Sequence, residues 1–253
     1  MNAILEAVDL TKTFGGVDAV SQLSFAIEPG HVHSIIGPNG AGKTTLINLL
    51  TGIYTPTAGR ILVEDSDTRG LAPYELARKG LGRTFQNLQI CMNMSAIENV
   101  MVGRHLRLNR RFLSALLHLK SVRAGDRDCR DKAAELMRFV GLEREIDRQP
   151  GELSYGALKR LEIARALAAE PRLLFLDEPA AGLNANETRD VGALIREVAA
   201  RGVTVVLVEH DMKLVMEVSD TVLVLNYGRR LAQGTPRAIQ NDPDVVSAYL
   251  GGA

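Results

Sequence analysis

The sequence predicts an α/β fold: a largely parallel sheet covered by helices, preceded by N-terminal strands and interrupted by a helical insertion. Three observations lead there. From Ser154 onward, short apolar runs of strand type alternate with helical stripes, the pattern of a parallel sheet covered on both faces. Earlier, a Gly-rich stretch separates the strand-like Val32–Ile36 from a helix pattern over Lys43–Leu50. Between these regions, 71–145 carry mostly helical periodicity.

Along the chain, 3–10 and 22–28 have strand character and stop at the turn Glu28-Pro29-Gly30. Ile61–Val63 adds a short strand. Helical patterns follow in Pro73–Lys79, Ala96–His105, the basic segment Arg104–Arg111, and Asp131–Phe139. The basic segment reads as a solvated helix face rather than a nucleic-acid patch. Leu158, Leu161, Ala164 and Ala168 share one helical stripe, and Leu173–Leu176 is a buried-type strand. Val191, Leu194, Ile195 and Val198 follow the i, i+3, i+4, i+7 pattern behind Asn184 and Glu187, which form a near capping box. Val203–Val208 and Thr221–Leu225 supply two further strands.

Composition narrows the function classes. The 253 residues suit one large domain or a domain with an insertion, and 46% apolar against 24% charged residues suit a buried core. Thirty basic residues balance thirty acidic ones, which argues against non-specific nucleic-acid binding. Cys91 and Cys129 have no metal-like spacing and read as reduced thiols of a cytosolic protein. Glu6 and Asp9 interrupt any secretory h-region. No apolar run approaches the roughly 20 residues of a membrane span, so a partner is expected to supply any link to a bilayer.

Gly37, Pro38, Asn39, Gly40, Ala41, Gly42, Lys43, Thr44 and Thr45 contain G-x-x-x-x-G-K-[ST] in full. Glycines let backbone N–H groups turn inward around phosphate oxygens, and the following helix N-terminus adds partial positive charge. Lys43 can reach β- and γ-phosphates, and the Thr44 hydroxyl can ligate Mg²⁺. ATP is the expected ligand. Asp177 and Glu178 end an apolar strand, and open parallel sheets collect ligands at strand carboxyl ends. Asp177 is thus a candidate to face the metal, and Glu178 to orient and deprotonate an attacking water. His210 follows another core strand on the same expected rim and can hydrogen-bond the γ-phosphate and that water.

Leu153-Ser154-Tyr155-Gly156-Ala157, running into a helix just before Asp177-Glu178, resembles the signature motif of ABC ATPases. The resemblance spans essentially 3–240. It implies a P-loop NTPase core with a mostly parallel sheet, an N-terminal antiparallel β subdomain and a helical insertion. The expected division assigns 1–85 and 150–253 to the nucleotide-binding core and about 86–149 to the helical part. The resemblance further implies that Ser154 and Gly156 meet the ATP of an opposing subunit, so that ATP closes a dimer. Ser154 also has a simpler reading as the N-cap of its own helix. Gln86, in Arg83-Thr84-Phe85-Gln86-Asn87, matches the family's glutamine loop, which contacts Mg²⁺ and water. Ala181–Asn184 matches its dimer-contacting loop, and His210 its switch histidine. Phe14 stands where the family stacks an aromatic ring on adenine; a core-packing Phe near a turn is the rival reading.

Ala157 replaces the usual Gln or Glu of the signature, Tyr155 its first Gly, and Asn184 the usual Asp of the dimer loop. Loss of a polar group at 157 implies weaker contacts across the dimer. Within the family, the chain is similar to the ATPases of branched-chain amino-acid importers, on Gly37–Thr45, Arg83–Leu88, Leu153–Gly156, Pro179–Asn184, Val224–Arg229 and the tail from Gly234 to Leu250. That implies two permease subunits, a homodimer or a heterodimer with a paralogous ATPase, an indirect periplasmic solute-binding protein, and a peripheral place on the cytoplasmic face of the membrane. Importers of urea and other amides share much of this pattern. A soluble ABC protein acting on DNA or ribosomes fits less well, for the chain has one cassette, no long heptad run and no net charge. A nucleotide-binding module with little turnover is favoured only by Ala157, and a metabolite kinase leaves Ser154–Gly156 and His210 unexplained.

Overall fold

The computed structural model describes residues 3–105 and 120–250. The chain divides into two compact units, 1–83 with 172–253, and 84–171.

The first unit holds two sheets. Strands β1 (Leu5–Phe14), β2 (Val17–Ile27), β4 (Ala58–Val63) and β5 (Ser66–Asp67) form an antiparallel sheet in the order β2-β1-β4-β5. β1 and β2 run longer than their apolar cores suggest, because they continue into a hairpin closed at Gly15-Gly16, with Phe14 paired to Val17. The second sheet has the order β10-β9-β3-β8-β7-β6. Its members are β3 (Val32–Ile36), β6 (Leu81–Arg83), β7 (Leu173–Asp177), β8 (Thr204–Val208), β9 (Thr221–Asn226) and β10 (Arg229–Gly234). All its pairings are parallel except β9 with β10.

The central strands are buried on both sides, and alternate apolar residues serve two cores. Ile35, Leu223 and Leu225 face a cluster shared with α1 (Lys43–Leu50) and the antiparallel sheet. Ile36, Val222 and Val224 face a smaller cluster. There they meet Val215 of α7 (Met212–Val218), Ile239 of α8 (Pro236–Gln240) and Val245 of α9 (Pro243–Leu250). α2 (Pro73–Arg78) lies between β5 and β6 in the chain, and α6 (Ala185–Ala200) between β7 and β8. Asn184 caps α6, its side chain accepting from the amides of Asn186 and Glu187, while Glu187 accepts from the Asn184 amide. The spacing seen in the sequence is thus a complete capping box, whose removal costs about 1 kcal/mol.

The second unit is helical: α3 (Ala96–Gly103), α4 (Lys120–Phe139) and α5 (Tyr155–Leu167). Ile97 and Val100, Cys129, Ala133 and Met137, and Leu161 and Ala164 make its interior. The unit runs from Thr84 to Pro171, and within it α5 packs against α3 and α4. The expected solvated face fails at Arg104. Its side chain is buried at the end of α3, 2.8 Å from Glu170 and 3.7 Å from Asp128. The rest of that basic segment, 106–111, lies outside the described residues. Among the described residues no helix is long and apolar enough to cross a membrane. The Cys91 thiol is half-buried and that of Cys129 is buried.

Candidate functional site

Strand register brings the site of the first unit together. Val208 of β8 pairs with Ile35 of β3 on one side and with Asp177 of β7 on the other. The strands therefore end level. The Gly-rich loop after β3, Glu178 after β7 and His210 after β8 emerge from the same rim of the sheet.

The loop Gly37–Gly42 has little room for other residues at two points. A Cβ on Gly37 would lie 2.2 Å from the Leu225 carbonyl oxygen; one on Gly42, at φ 99°, would lie 2.3 Å from the Ala19 carbonyl oxygen. Gly42 caps α1, which then opens with Lys43 and Thr44. Pro38 is half-buried, Asn39 and Gly40 are exposed, and Ala41 is buried. The Lys43 ammonium folds back onto its own loop, donating to the carbonyls of Gly37 at 2.6 Å and Pro38 at 3.1 Å. Burial pushes its pKa down, opposed by the charges of Glu178 and Asp177. Thr44 is exposed and Thr45 half-buried.

Asp177 is buried, and its Oδ2 accepts from Arg83 Nη2 at 3.2 Å. Glu178 sits at φ 50°, an uncommon backbone region for a side-chain-bearing residue. Its N–H donates to the Val208 carbonyl at 2.9 Å, which holds this turn against β8. The His210 Nδ1 lies 3.9 Å from Glu178 Oε1, and the imidazole is well exposed. Phe14 is 44% exposed and meets Tyr54 edge-on, with the Lys12 ammonium 5.0 Å from its ring centre. With that exposure Phe14 is not a core residue; it lies beside the hairpin turn, paired with Val17.

Two residues outside the sequence reading support this rim. Glu209 is 1% exposed; one oxygen accepts from the Ala180 amide at 2.8 Å, the other from the His210 amide at 3.0 Å. It ties the loop after Glu178 to the turn carrying His210. Its only sequence signal is an acid directly behind a strand. Tyr249 of α9 accepts a hydrogen bond from the Gly37 amide.

In the second unit, Ser154 is the N-cap of α5, its hydroxyl accepting from the Ala157 amide at 3.2 Å. Gly156 and Ala157 are buried, whereas Ser154, Tyr155 and Gln86 are exposed. The segment around Gln86 is held by α5: Glu162 accepts from the amides of Phe85 and Gln89, and Arg165 donates to the Gln89 carbonyl. Glu162 is 6% exposed, and burial pushes its carboxyl up, against the opposing charges of Lys159 and Arg165. A raised native pKa means stability that is complete below the unfolded-state value and is lost as pH rises through the native one. Glu162→Gln is expected to remove that loss. Urea midpoints measured from the ordinary glutamate range upward should fall with pH in the wild type and stay flatter in the variant. Parallel curves would assign the slope to another group.

The family described as ABC transporter matches residues 20–181, and the one described as branched-chain amino acid ATP-binding cassette transporter matches 229–253. The chain is 48% identical to the high-affinity branched-chain amino acid transport ATP-binding protein BraF of Pseudomonas aeruginosa, over 99% of this chain and 98% of that one. It is 45% identical to the corresponding LivG protein of Escherichia coli K12, with the same coverage. Among solved structures, a nucleotide-free ATP-binding cassette from an ABC transporter superposes with a TM-score of 0.85 at 33% identity, covering 98% of this chain and 99% of that one. An ABC transporter cassette in its ADP conformation gives 0.85 at 32% identity, covering 99% and 100%. The cassette fold is thus matched over nearly the whole chain, and the chain belongs to the ABC transporter family as one of its ATP-hydrolysing, ATP-binding subunits.

Proposed function

We propose that this subunit powers import of branched-chain amino acids by closing, with a second cassette, on two ATP molecules. The observation that carries the chemistry is the register around Val208, which levels the phosphate loop with Glu178 and His210. The solute class rests on relatives 45–48% identical over nearly the full length.

Loop amides and the α1 N-terminus bind the phosphates, and Lys43 leaves its two carbonyl partners to meet the β- and γ-oxygens. Phe14 stacks on the base. Glu178 takes a proton from the attacking water, and His210 holds that water and the γ-phosphate. In the opposing cassette, Ser154 and Gly156 present the start of α5 to the same nucleotide. Among the described residues no three His, Cys, Asp or Glu side chains gather as a metal cage. The Thr44 hydroxyl and the Asp177 carboxylate are hard oxygen donors that suit Mg²⁺, an ion that keeps water and phosphate oxygens in its shell. Bound there, it would offset phosphate charge. Asp177 and Thr44 would hold it, and Gln86 is the residue assigned to sensing a permease.

The partners are two permease subunits and a second cassette, of the same kind or paralogous, with a solute-binding protein acting through the permeases. Docking on permeases places the chain at the cytoplasmic face of the membrane. ATP does work on them only if the closed dimer favours one permease state over the other.

The test is uptake into vesicles carrying the permeases and cassettes, with ATP on the cassette side and binding protein on the other. Labelled leucine, isoleucine or valine should accumulate and raise ATP turnover. Accumulation of urea or short amides alone would overturn the solute assignment, while solute-independent turnover without uptake would overturn the importer reading.

A further inference from the structure

Arg83 ends β6, and its guanidinium is 10% exposed. It reaches two other elements of the first unit. Nη1 donates to Asn48 Oδ1 at 2.7 Å and to Thr51 Oγ1 at 2.9 Å, at the end of α1. Nη2 donates to Asp177 Oδ2 at 3.2 Å, at the end of β7. Thr51 spends its own proton on the Ile47 carbonyl at 2.7 Å, so its oxygen is oriented to accept from Arg83. The fork is thus fixed by three acceptors, and only a planar guanidinium serves them together.

The two elements braced this way both carry residues of the nucleotide site. α1 begins with Lys43 and Thr44; β7 ends with Asp177. They hold the hydroxyl and the carboxylate that would bind Mg²⁺. Burial disfavours the charged guanidinium, and the neighbouring Asp177 offsets that, so the pair is poorly explained as a solvated surface bridge.

We infer that Arg83 is a positioning residue for the metal: it fixes the rotation of the Asp177 carboxylate and the placing of β7 against α1, and so sets how readily Mg²⁺ strengthens nucleotide binding. This rests on the reading of Asp177 as the carboxylate facing the metal. Arg83 touches neither nucleotide nor metal in this role. Groups that orient a ligand from behind commonly change metal affinity by about 10–100-fold.

The test uses the full chain and a fluorescent ATP analogue, titrated first in EDTA and then with stepwise Mg²⁺, alongside melting curves. Arg83→Lys keeps the charge and loses the fork. It is expected to leave analogue affinity in EDTA within about twofold and to raise the half-saturating Mg²⁺ on the order of 10-fold. Asn48→Ala and Thr51→Val loosen the fork without touching the ion pair, and should raise it by a smaller factor in the same direction. Should Arg83→Lys fail to fold, these two variants decide alone. An unchanged Mg²⁺ requirement in the folded variants overturns the inference, as does an equal fall in EDTA and in Mg²⁺, which a merely structural role would produce. Asp177→Asn separates the premise from the inference. If it shifts the Mg²⁺ requirement and the Arg83 set does not, Arg83 alone is misread; if Asp177→Asn has no effect, the metal reading of Asp177 fails with it.

Discussion

Replacing Glu178 by Gln is expected to lower ATP turnover by roughly 10²–10⁴-fold, the span supplied by a positioned general base, with ATP binding retained. The substitution keeps shape and loses basicity. The backbone at φ 50° and the bond from the Glu178 amide to Val208 belong to the main chain and survive it. Melting behaviour should therefore stay close to that of the wild type. The two acids nearest in this rim are already engaged. Glu209 is buried, and its oxygens are committed to the amides of Ala180, His210 and Asp211. Asp177 is paired with Arg83. A cassette that binds but cannot hydrolyse should accumulate in the closed form. Size-exclusion chromatography with ATP and Mg²⁺ should show a dimer for Glu178→Gln and mostly monomer for the wild type after turnover. Where the native dimer is mixed, the paralogous cassette must be present. Rapid hydrolysis by the variant would move the base elsewhere.

The same residues show what the sequence discloses. Local rules were enough for the phosphate loop, whose helix begins at Lys43 as its pattern requires, and for the capping box at Asn184. They were enough for Asp177, because an acid directly behind four apolar residues of strand length marks a strand end, and β7 does end there. They were blind to β6. Leu81-Gly82-Arg83 is too short to show a period, and its partner strand lies some ninety residues away. With β6 went Arg83, whose acceptors come from elements distant in sequence. β10 is hidden for another reason: Arg229–Gly234 lies at the sheet edge with no fully buried residue, so no alternation is imposed. α5 misleads in the opposite direction. Its apolar stripe predicts one buried face, yet Lys159 and Glu162 are buried as well. Glu162 goes inward because backbone amides of the glutamine loop need an acceptor, and a loop's hydrogen-bond demand leaves no mark on the helix that meets it.

Lys43→Ala is expected to abolish measurable ATP binding while costing the unliganded protein little. The two parts have separate causes. Without nucleotide, Lys43 is a half-buried cation with two carbonyl partners and a pKa pushed down by burial. A lysine whose native pKa is lowered makes its least favourable contribution at neutral pH, and improves only as pH rises through the native value towards the unfolded one. Alanine removes that burden along with the two hydrogen bonds, so the net change in unfolding free energy should be small. With nucleotide, the same ammonium exchanges carbonyls for phosphate oxygens. Charge-assisted bonds contribute about 1.5–3 kcal/mol each, so losing two lowers affinity on the order of 10²–10⁴-fold. Stabilisation by a ligand follows the logarithm of its concentration over Kd. Millimolar ATP should therefore raise the melting temperature of the wild type by several degrees and leave Lys43→Ala unmoved. A second check is the alkaline limb: only the wild type should gain stability relative to the variant as pH climbs towards the ordinary lysine range. A variant that still melts higher in ATP would mean that the loop amides and the α1 N-terminus hold the phosphates without this side chain.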